Sequence, residues 1–119
     1  MEKFERELLR GSLDTIVLSV LADGPKYGYL IQKQLREASH GQVQAQAGTL
    51  YPLLHRLEAD KLIRSKWDDA GGRRRKWYEL TSSGRKRLSA QALAWRRYAE
   101  CMARFLEAAE GPATSPAPA

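Results

Sequence analysis

The sequence predicts a mainly α-helical fold with one small β-hairpin. Apolar residues recur at helical spacing in four segments, and two short alternating segments flank a loop that contains Gly71 and Gly72. The chain has 119 residues, which is enough for one domain with a modest hydrophobic core. We expect three helices first, then the hairpin, then a long final helix.

The first predicted helix follows Gly11 and Ser12. Its apolar residues recur at i, i+3, i+4, i+7 and i+8, the positions of Leu13, Ile16, Val17, Val20 and Leu21. Ser12 suits the N-cap position because its hydroxyl can accept a hydrogen bond from a free backbone N–H. The charged residues before Gly11 are also compatible with helix, and the sequence DGP at residues 23–25 predicts a stop.

The second predicted helix spans residues 27–38. Its apolar residues at helical spacing are Tyr27, Ile31 and Leu35, with Leu30 beside them. Gly41 is the expected C-terminal glycine, because glycine adopts the left-handed conformation that often ends a helix. Residues 42–46 then form a polar, alternating connector.

The third predicted helix contains a proline that constrains where it begins. Proline lacks the backbone N–H and fits best in the first turn, so the helix should start between residues 46 and 49 and run to about residue 60. On a helical projection, the apolar face holds Leu50, Leu53, Leu54 and Leu57. The opposite face holds Gly48, Pro52, His55 and Ala59, with Tyr51 and Arg56 on its flanks.

Two short strands are predicted over residues 62–68 and 75–81, joined by the glycine-centred loop DAGGRR at residues 69–74. The alternating residues are Ile63 and Trp67 against Arg64 and Lys66 in the first strand, and Tyr78 and Leu80 against Trp77 and Glu79 in the second. Three helices followed by a two-stranded hairpin is the order of a winged helix-turn-helix. The third helix would be its recognition helix and the hairpin tip its wing.

The final helix is predicted to begin after a Thr81 cap. The expected organisation is a winged helix-turn-helix domain over residues 1–81, a C-terminal dimerisation helix over 82–108 and a disordered Pro/Ala/Ser-rich tail over 109–119. A heptad-like stripe on that helix consists of Leu88, Ala92, Trp95, Ala99, Met102 and Leu106. Pairing with a second copy would bury this stripe, and packing on the chain's own first helix would account for part of it. At a dimer axis, Trp95 could also stack flat molecules.

The charge distribution favours a polyanionic partner. The net charge is +6, and ten Lys/Arg against three Asp/Glu fall between Lys61 and Arg87. The recognition helix and the wing therefore contain the candidate DNA-binding residues, which are Gly48, Thr49, Tyr51, Pro52, His55, Arg56, Gly72, Arg73, Arg74, Arg75 and Lys76. The same features are compatible with a surface helix and a charge run that only meet water, and with Tyr51 as a buried packing ring.

Several function classes lack support in the sequence. A single cysteine, Cys101, allows no internal disulfide framework, and His40 and His55 form no cluster at metal-ligand spacing. No paired carboxylates or nucleophile–base set indicates an enzyme, so we expect no catalytic residues, no metal and no cofactor. No signal peptide or membrane-spanning run is apparent, which leads us to expect a cytoplasmic protein without a membrane partner.

Five segments together resemble the PadR family of bacterial transcriptional regulators, in particular its smaller subgroup with a short C-terminal helical region. They are ELLRGSLDTIVLSVL, GPKYGYLI, GTLYPLLHRLEADKLI, GGRRRKWYELTSSGRKRL and the tryptophan-bearing last helix. The resemblance covers roughly residues 7–106. Ala47 stands where relatives often carry Pro or Ser, and Lys61 stands where Gly is usual.

The resemblance implies a homodimer that binds a palindromic promoter site, usually as a repressor. It also implies that Thr49 and Tyr51 lie at the DNA-facing start of the recognition helix and that residues 71–76 act as the wing. Many members are released from DNA by small aromatic or drug-like molecules bound between the core and the C-terminal helices. The alternative function is a winged-helix protein–protein interaction module without nucleic acid.

Overall fold

The computed structural model describes Leu9 and residues 11–111. Within this part, the chain forms two compact units, one ending at Leu88 and the other starting at Ser89. No helix of the described residues is both long and apolar enough to cross a lipid bilayer. The architecture is mainly α-helical with a small antiparallel sheet, which confirms the predicted fold class.

The first three helices are α1 (Leu13–Val20), α2 (Gly28–Ala38) and α3 (Ala47–Ala59). The core side chains from these helices and from Leu21, directly after α1, are Val17, Leu18, Leu21, Ile31, Leu35, Leu50, Leu53, Leu54 and Leu57. These include the whole apolar stripe predicted for the third helix. The connector predicted as polar also adds Val43 and Ala45 to the core.

The start of α1 differs in one detail from the prediction. Ser12 occupies the N-cap position, but its side chain makes no capping hydrogen bond. Its hydroxyl instead donates to the Leu9 carbonyl at 3.0 Å. The extension of this helix before Gly11 lies outside the described residues, except for Leu9, which is helical.

A two-residue strand, β1 (Lys26–Tyr27), precedes α2 and was not predicted from the sequence. It pairs antiparallel with the strand β3 (Arg75–Leu80), so that Lys26 lies opposite Tyr78 and Tyr27 opposite Trp77. The second helix therefore begins at Gly28, and the placement of Tyr27 on its apolar face was wrong. The sheet has three strands in the order β1-β3-β2, where β2 is Ile63–Asp68.

The β2–β3 hairpin matches the prediction closely. Its register runs from Ile63 opposite Leu80 to Asp68 opposite Arg75, which leaves the predicted six-residue loop at 69–74. Gly71 and Gly72 in this loop have φ of 74° and 73°, the left-handed region that glycine adopts without strain.

Left-handed residues end both α2 and α3, but neither is a glycine. After α2, His40 has φ of 54°, and the Gly41 N–H donates to the Arg36 carbonyl at 2.7 Å. Gly41 itself has φ of 83°, so the expected glycine follows one residue after the first left-handed position. After α3, Lys61 has φ of 62°, and the Leu62 N–H donates to the Leu57 carbonyl at 3.0 Å. Both ends have the hydrogen bonding of a Schellman motif.

The left-handed Lys61 predicts a stabilising substitution. Lys61→Gly is expected to raise the free energy of unfolding by about 1 kcal/mol, because a side chain in this conformation costs roughly 1–2 kcal/mol. Lys61→Ala is the matched control, since it removes the charge but keeps the Cβ, and it should give no comparable gain. Thermal unfolding of the two variants checks this, and equal midpoints would contradict the explanation.

The helix α4 (Ser82–Glu110) begins at the predicted cap. Thr81 Oγ1 accepts a hydrogen bond from the Gly84 N–H at 2.9 Å and donates to the Lys61 carbonyl at 2.7 Å. The cap therefore also ties the start of α4 to the end of α3. The helix runs two residues beyond its expected end at 108. The predicted disordered tail lies outside the described residues from position 112 onward.

Candidate nucleic-acid interface

The first turns of α3 present a small, exposed face. The helix starts at Ala47, within the predicted interval, and Pro52 is its sixth residue rather than part of its first turn. Without an N–H on Pro52, the Gly48 carbonyl lacks its usual partner four residues along the helix. A side chain at Gly48 would meet no protein atom within 4 Å. Gly48, Thr49 and Pro52 are all exposed, so this face is open to an external partner.

Tyr51 packs against the protein and also reaches solvent. Its side chain packs over Gly28 at the start of α2, where an added Cβ would collide with the tyrosine ring and hydroxyl. Tyr51 nevertheless remains 38% exposed. The buried Gly28 therefore makes room for a ring that is held in place and still reaches solvent. His55, one turn further along α3, is exposed.

Arg56 has a partner within the protein. Its Nη2 donates to Asp14 Oδ1 of α1 at 2.7 Å. The side chain is 57% exposed, so the pair contributes little to stability. This contact joins α3 to α1. It also engages the guanidinium of a residue that was predicted from the sequence to bind DNA.

The four basic residues of the wing have different surroundings. The guanidinium of Arg74 lies 4.3 Å from the centre of the Trp67 ring, and that of Arg75 lies 4.6 Å from the centre of the Tyr27 ring. Lys76 Nζ is 3.8 Å from Glu58 Oε1. Arg73 forms no ion pair or ring contact with any of the described residues, and it is exposed.

Glu58 links the end of α3 to the hairpin. Besides its contact with Lys76, it accepts a hydrogen bond from the hydroxyl of Ser65 on β2. The adjacent Tyr78 is almost fully buried, and burial raises its pKa, with the negative charge of Glu58 adding to the effect. The phenol therefore stays protonated and neutral. These contacts fix the wing strands against the recognition helix.

A groove of about 780 Å³ runs between α3, the start of α2 and the wing. Its lining includes six of the predicted DNA-binding residues: Tyr51, His55, Arg73, Arg74, Arg75 and Lys76. The other five predicted residues do not line it: Gly48, Thr49, Pro52, Arg56 and Gly72. The structure thus brings the middle of the recognition helix and the basic wing to one concave surface.

Sequence reasoning missed the aromatic part of this groove, which consists of Tyr27, Tyr29, Trp67 and Tyr78. The alternation of β2 could have indicated Trp67. This residue lies on the same face of the strand as Ile63 and Ser65, and it is the one nearest the loop. Tyr27 gave no such signal, since a two-residue strand has no detectable periodicity. Within the described residues, no group of three or more His, Cys, Asp or Glu is arranged to hold a metal ion.

The predicted dimerisation stripe lies along α4. Leu88 packs against the chain's own core. Ala92 is half-buried and Ala99 is exposed. Trp95, Met102 and Leu106 are 37%, 40% and 52% exposed in the single chain. Tyr98 and Phe105, both more exposed still, broaden this apolar face, and the Trp95 and Tyr98 rings meet edge to face at 5.8 Å.

Comparison with known proteins shows which family this sequence resembles. Residues 17–90, which include α2, α3 and the whole hairpin, match the sequence profile described as the Transcriptional regulator PadR-like family. A transcriptional regulator of Mycobacterium tuberculosis is 38% identical over 84 residues, which cover 71% of this chain and 76% of that protein.

Two solved structures show the same fold. A PadR family transcriptional regulator from Eggerthella lenta is 40% identical, with a TM-score of 0.75, over 85% of this chain and 87% of that one. A transcriptional regulator from Clostridium thermocellum has a TM-score of 0.77 at 31% identity, over 83% of this chain and 97% of that one. The similarity extends over most of both molecules in each case.

Proposed function

The chain belongs to the PadR-like family of transcriptional regulators, and we propose that it acts in the cytoplasm as a homodimeric repressor of a palindromic promoter. In this proposal, α3 enters the major groove and reads bases, while the wing holds phosphates. A planar aromatic or drug-like molecule releases the protein from DNA. The family consists of DNA-binding regulators rather than enzymes.

The groove between α3 and the wing is the observation that carries this proposal. It joins the exposed His55 and Tyr51 of a candidate reading helix to three arginines on one surface. Phosphate contacts set the affinity of a protein for DNA without reading its sequence, whereas contacts to base edges specify the site. One surface with both kinds of side chain suits both tasks.

Selection from fragmented genomic DNA tests the proposal. The purified protein should retain a small set of duplexes that share a two-fold symmetric sequence, with half-sites about one helical turn (~34 Å) apart. Its affinity should fall as the salt concentration rises, because bound phosphates release counterions. Failure to retain any duplex would support the protein–protein module instead, and enriched sites without two-fold symmetry would contradict the dimer.

The homodimer predicts a specific effect of charge in the apolar face of α4. Trp95→Asp should give monomers in light scattering, because it places a charge in an apolar interface. Leu93→Asp is the matched control: Leu93 is also exposed, at 48%, but lies two residues away and so on the other side of the helix. A parent protein that is monomeric at micromolar concentration would contradict the proposed dimer.

The proposed effector site contains Trp95. Planar aromatic compounds should quench the tryptophan emission of the parent, and Trp95→Phe should lose most of that response. The chain has two other tryptophans, Trp67 and Trp77, so Trp67→Phe is the control that should keep it. Unchanged quenching in Trp95→Phe would place the ligand elsewhere.

A further inference from the structure

The basic run of the wing contains two arginines whose guanidinium groups rest on aromatic rings. Arg74 lies 4.3 Å from the centre of the Trp67 ring and Arg75 lies 4.6 Å from the centre of the Tyr27 ring. Both distances are within the range of a cation–π interaction. The two rings come from different strands, so the pairing is not a consequence of sequence neighbourhood alone.

Each ring is itself held in place. Tyr27 belongs to β1, opposite Trp77, and the two rings meet edge to face with their centres 5.0 Å apart. Trp67 lies in β2 opposite Lys76, whose ammonium group is 5.9 Å from the centre of the Trp67 ring. Trp67 is 52% exposed, so the ring lies at the surface of the groove and is open to a guanidinium.

A stacked guanidinium keeps its N–H donors at its edge, where they can reach phosphate oxygens. Arg74 Nε also lies 3.7 Å from Asp69 Oδ1, but both side chains are largely exposed, so this pair is weak and a phosphate can replace it. Stacking also restricts the rotamers of the long arginine side chain before DNA binds. A freely moving arginine would lose this rotamer freedom at the moment of binding. An arginine on a ring therefore binds phosphate at a lower entropic cost than a freely moving one. Arg73, which has no such support among the described residues, provides the contrast within the same loop.

We propose that Trp67 and Tyr27 are positioning residues that hold Arg74 and Arg75 in orientations ready for DNA phosphates. The inference rests on the proposed function and adds to it, because it assigns the aromatic side of the groove. Neither ring contacts bases in this account. Each acts through the arginine that it carries.

The test compares Trp67→Leu with Arg74→Ala on the same duplexes across a salt series. Trp67→Leu should weaken binding to specific and random duplexes alike, by about two- to tenfold, because Arg74 must now be ordered on binding. The slope of log affinity against log salt should stay that of the parent, since the phosphate contact itself remains. Arg74→Ala should instead flatten that slope by about 0.9.

Two further variants separate positioning from a general structural role. Trp67→Phe should bind as the parent does, because a phenyl ring also attracts a guanidinium. Adding Trp67→Leu to Arg74→Ala should cause a much smaller further loss, because only Lys76, 5.9 Å from the ring centre and paired with Glu58, then remains beside the ring. If Trp67→Leu fails to fold, Tyr27→Leu and Tyr27→Phe, each compared with Arg75→Ala, provide the same test.

The outcomes distinguish this inference from the proposed function. Parental affinity in Trp67→Leu, or an equal further loss in the Arg74→Ala background, would overturn the positioning role while leaving DNA binding intact. A parent protein that binds no duplex at all would overturn the proposed function itself.

Discussion

Replacing Arg73, Arg74 and Arg75 together with alanine is expected to weaken binding to specific and random duplexes alike. The loss should be on the order of 100-fold near physiological salt, and the slope of log affinity against log salt should flatten by about 0.9 for each phosphate contact removed. All three arginines line the groove beside α3, so a duplex seated there would contact the wing along its backbone. Titrations of both duplexes over a salt series measure affinity and slope together.

The matched control for the wing variant removes the same amount of positive charge from the second half of α4. Replacing Arg96, Arg97 and Arg104 with alanine lowers the net charge by the same amount at exposed positions outside the groove. This variant should show a much smaller loss and keep most of the parental slope. If the wing variant kept the parental slope, the wing would not be a phosphate-binding element.

Gly84→Ala is expected to lower the free energy of unfolding by about 3 kcal/mol. Gly84 is buried in the first turn of α4, and an added Cβ would overlap the backbone carbonyl oxygen of Leu62. That carbonyl also accepts a hydrogen bond from the Thr81 N–H at 3.1 Å, so it cannot turn aside freely. Inserting a methyl group into a packed site costs about 1–3 kcal/mol and occasionally more, and an obstructing backbone atom places this site at the upper end.

Denaturant unfolding measures the effect, with the neighbouring position as a control. Ser83 is exposed, so Ser83→Ala should change the stability by no more than about 0.5 kcal/mol. If Gly84→Ala were as stable as the parent, α4 could not approach the Leu62 carbonyl as closely as the structure shows.

The elements that were predicted well from the sequence have apolar residues at a regular spacing within the element itself. The stripe of Leu50, Leu53, Leu54 and Leu57 spans about two turns of helix, and all four side chains are buried as expected. The hairpin was equally clear, because two alternating strands flank a pair of glycines that suit left-handed conformations. In both cases, local spacing and tertiary packing favour the same structure.

The features that the sequence did not predict depend on distant residues. The strand β1 exists because Lys26 and Tyr27 pair with β3, about 50 positions later in the chain. Arg56 and Asp14 are 42 positions apart, and no pattern in either helix indicates that they meet. Lys61 shows a third case: Leu62 is held by its hydrogen bond to Leu57 and packs in the core, so the turn imposes a left-handed conformation on a residue that does not favour it.

Tyr51 and Trp67 show how this limit affects the candidate site. The helical projection left Tyr51 as either a packing ring or a surface group, and only its contact with Gly28 shows that it is both. In the sequence, Trp67 is only one of the alternating residues of a predicted strand. In the structure, its ring lies under the guanidinium of Arg74. Side-chain partners across a groove follow from the fold and not from spacing along the chain.

His55→Ala tests most directly whether α3 reads the DNA sequence while the wing only holds the backbone. The measurement is the ratio of affinities for a retained genomic duplex and a random duplex, taken across one salt series for the parent, His55→Ala and the triple wing variant. His55→Ala should lower this ratio by about 5- to 150-fold, the effect of losing ~1–3 kcal/mol of base discrimination, with an unchanged salt slope. The wing variant should keep the ratio and lose slope. The opposite pattern, in which the wing variant loses discrimination while His55→Ala keeps it, would contradict the assignment of α3 as the reading element.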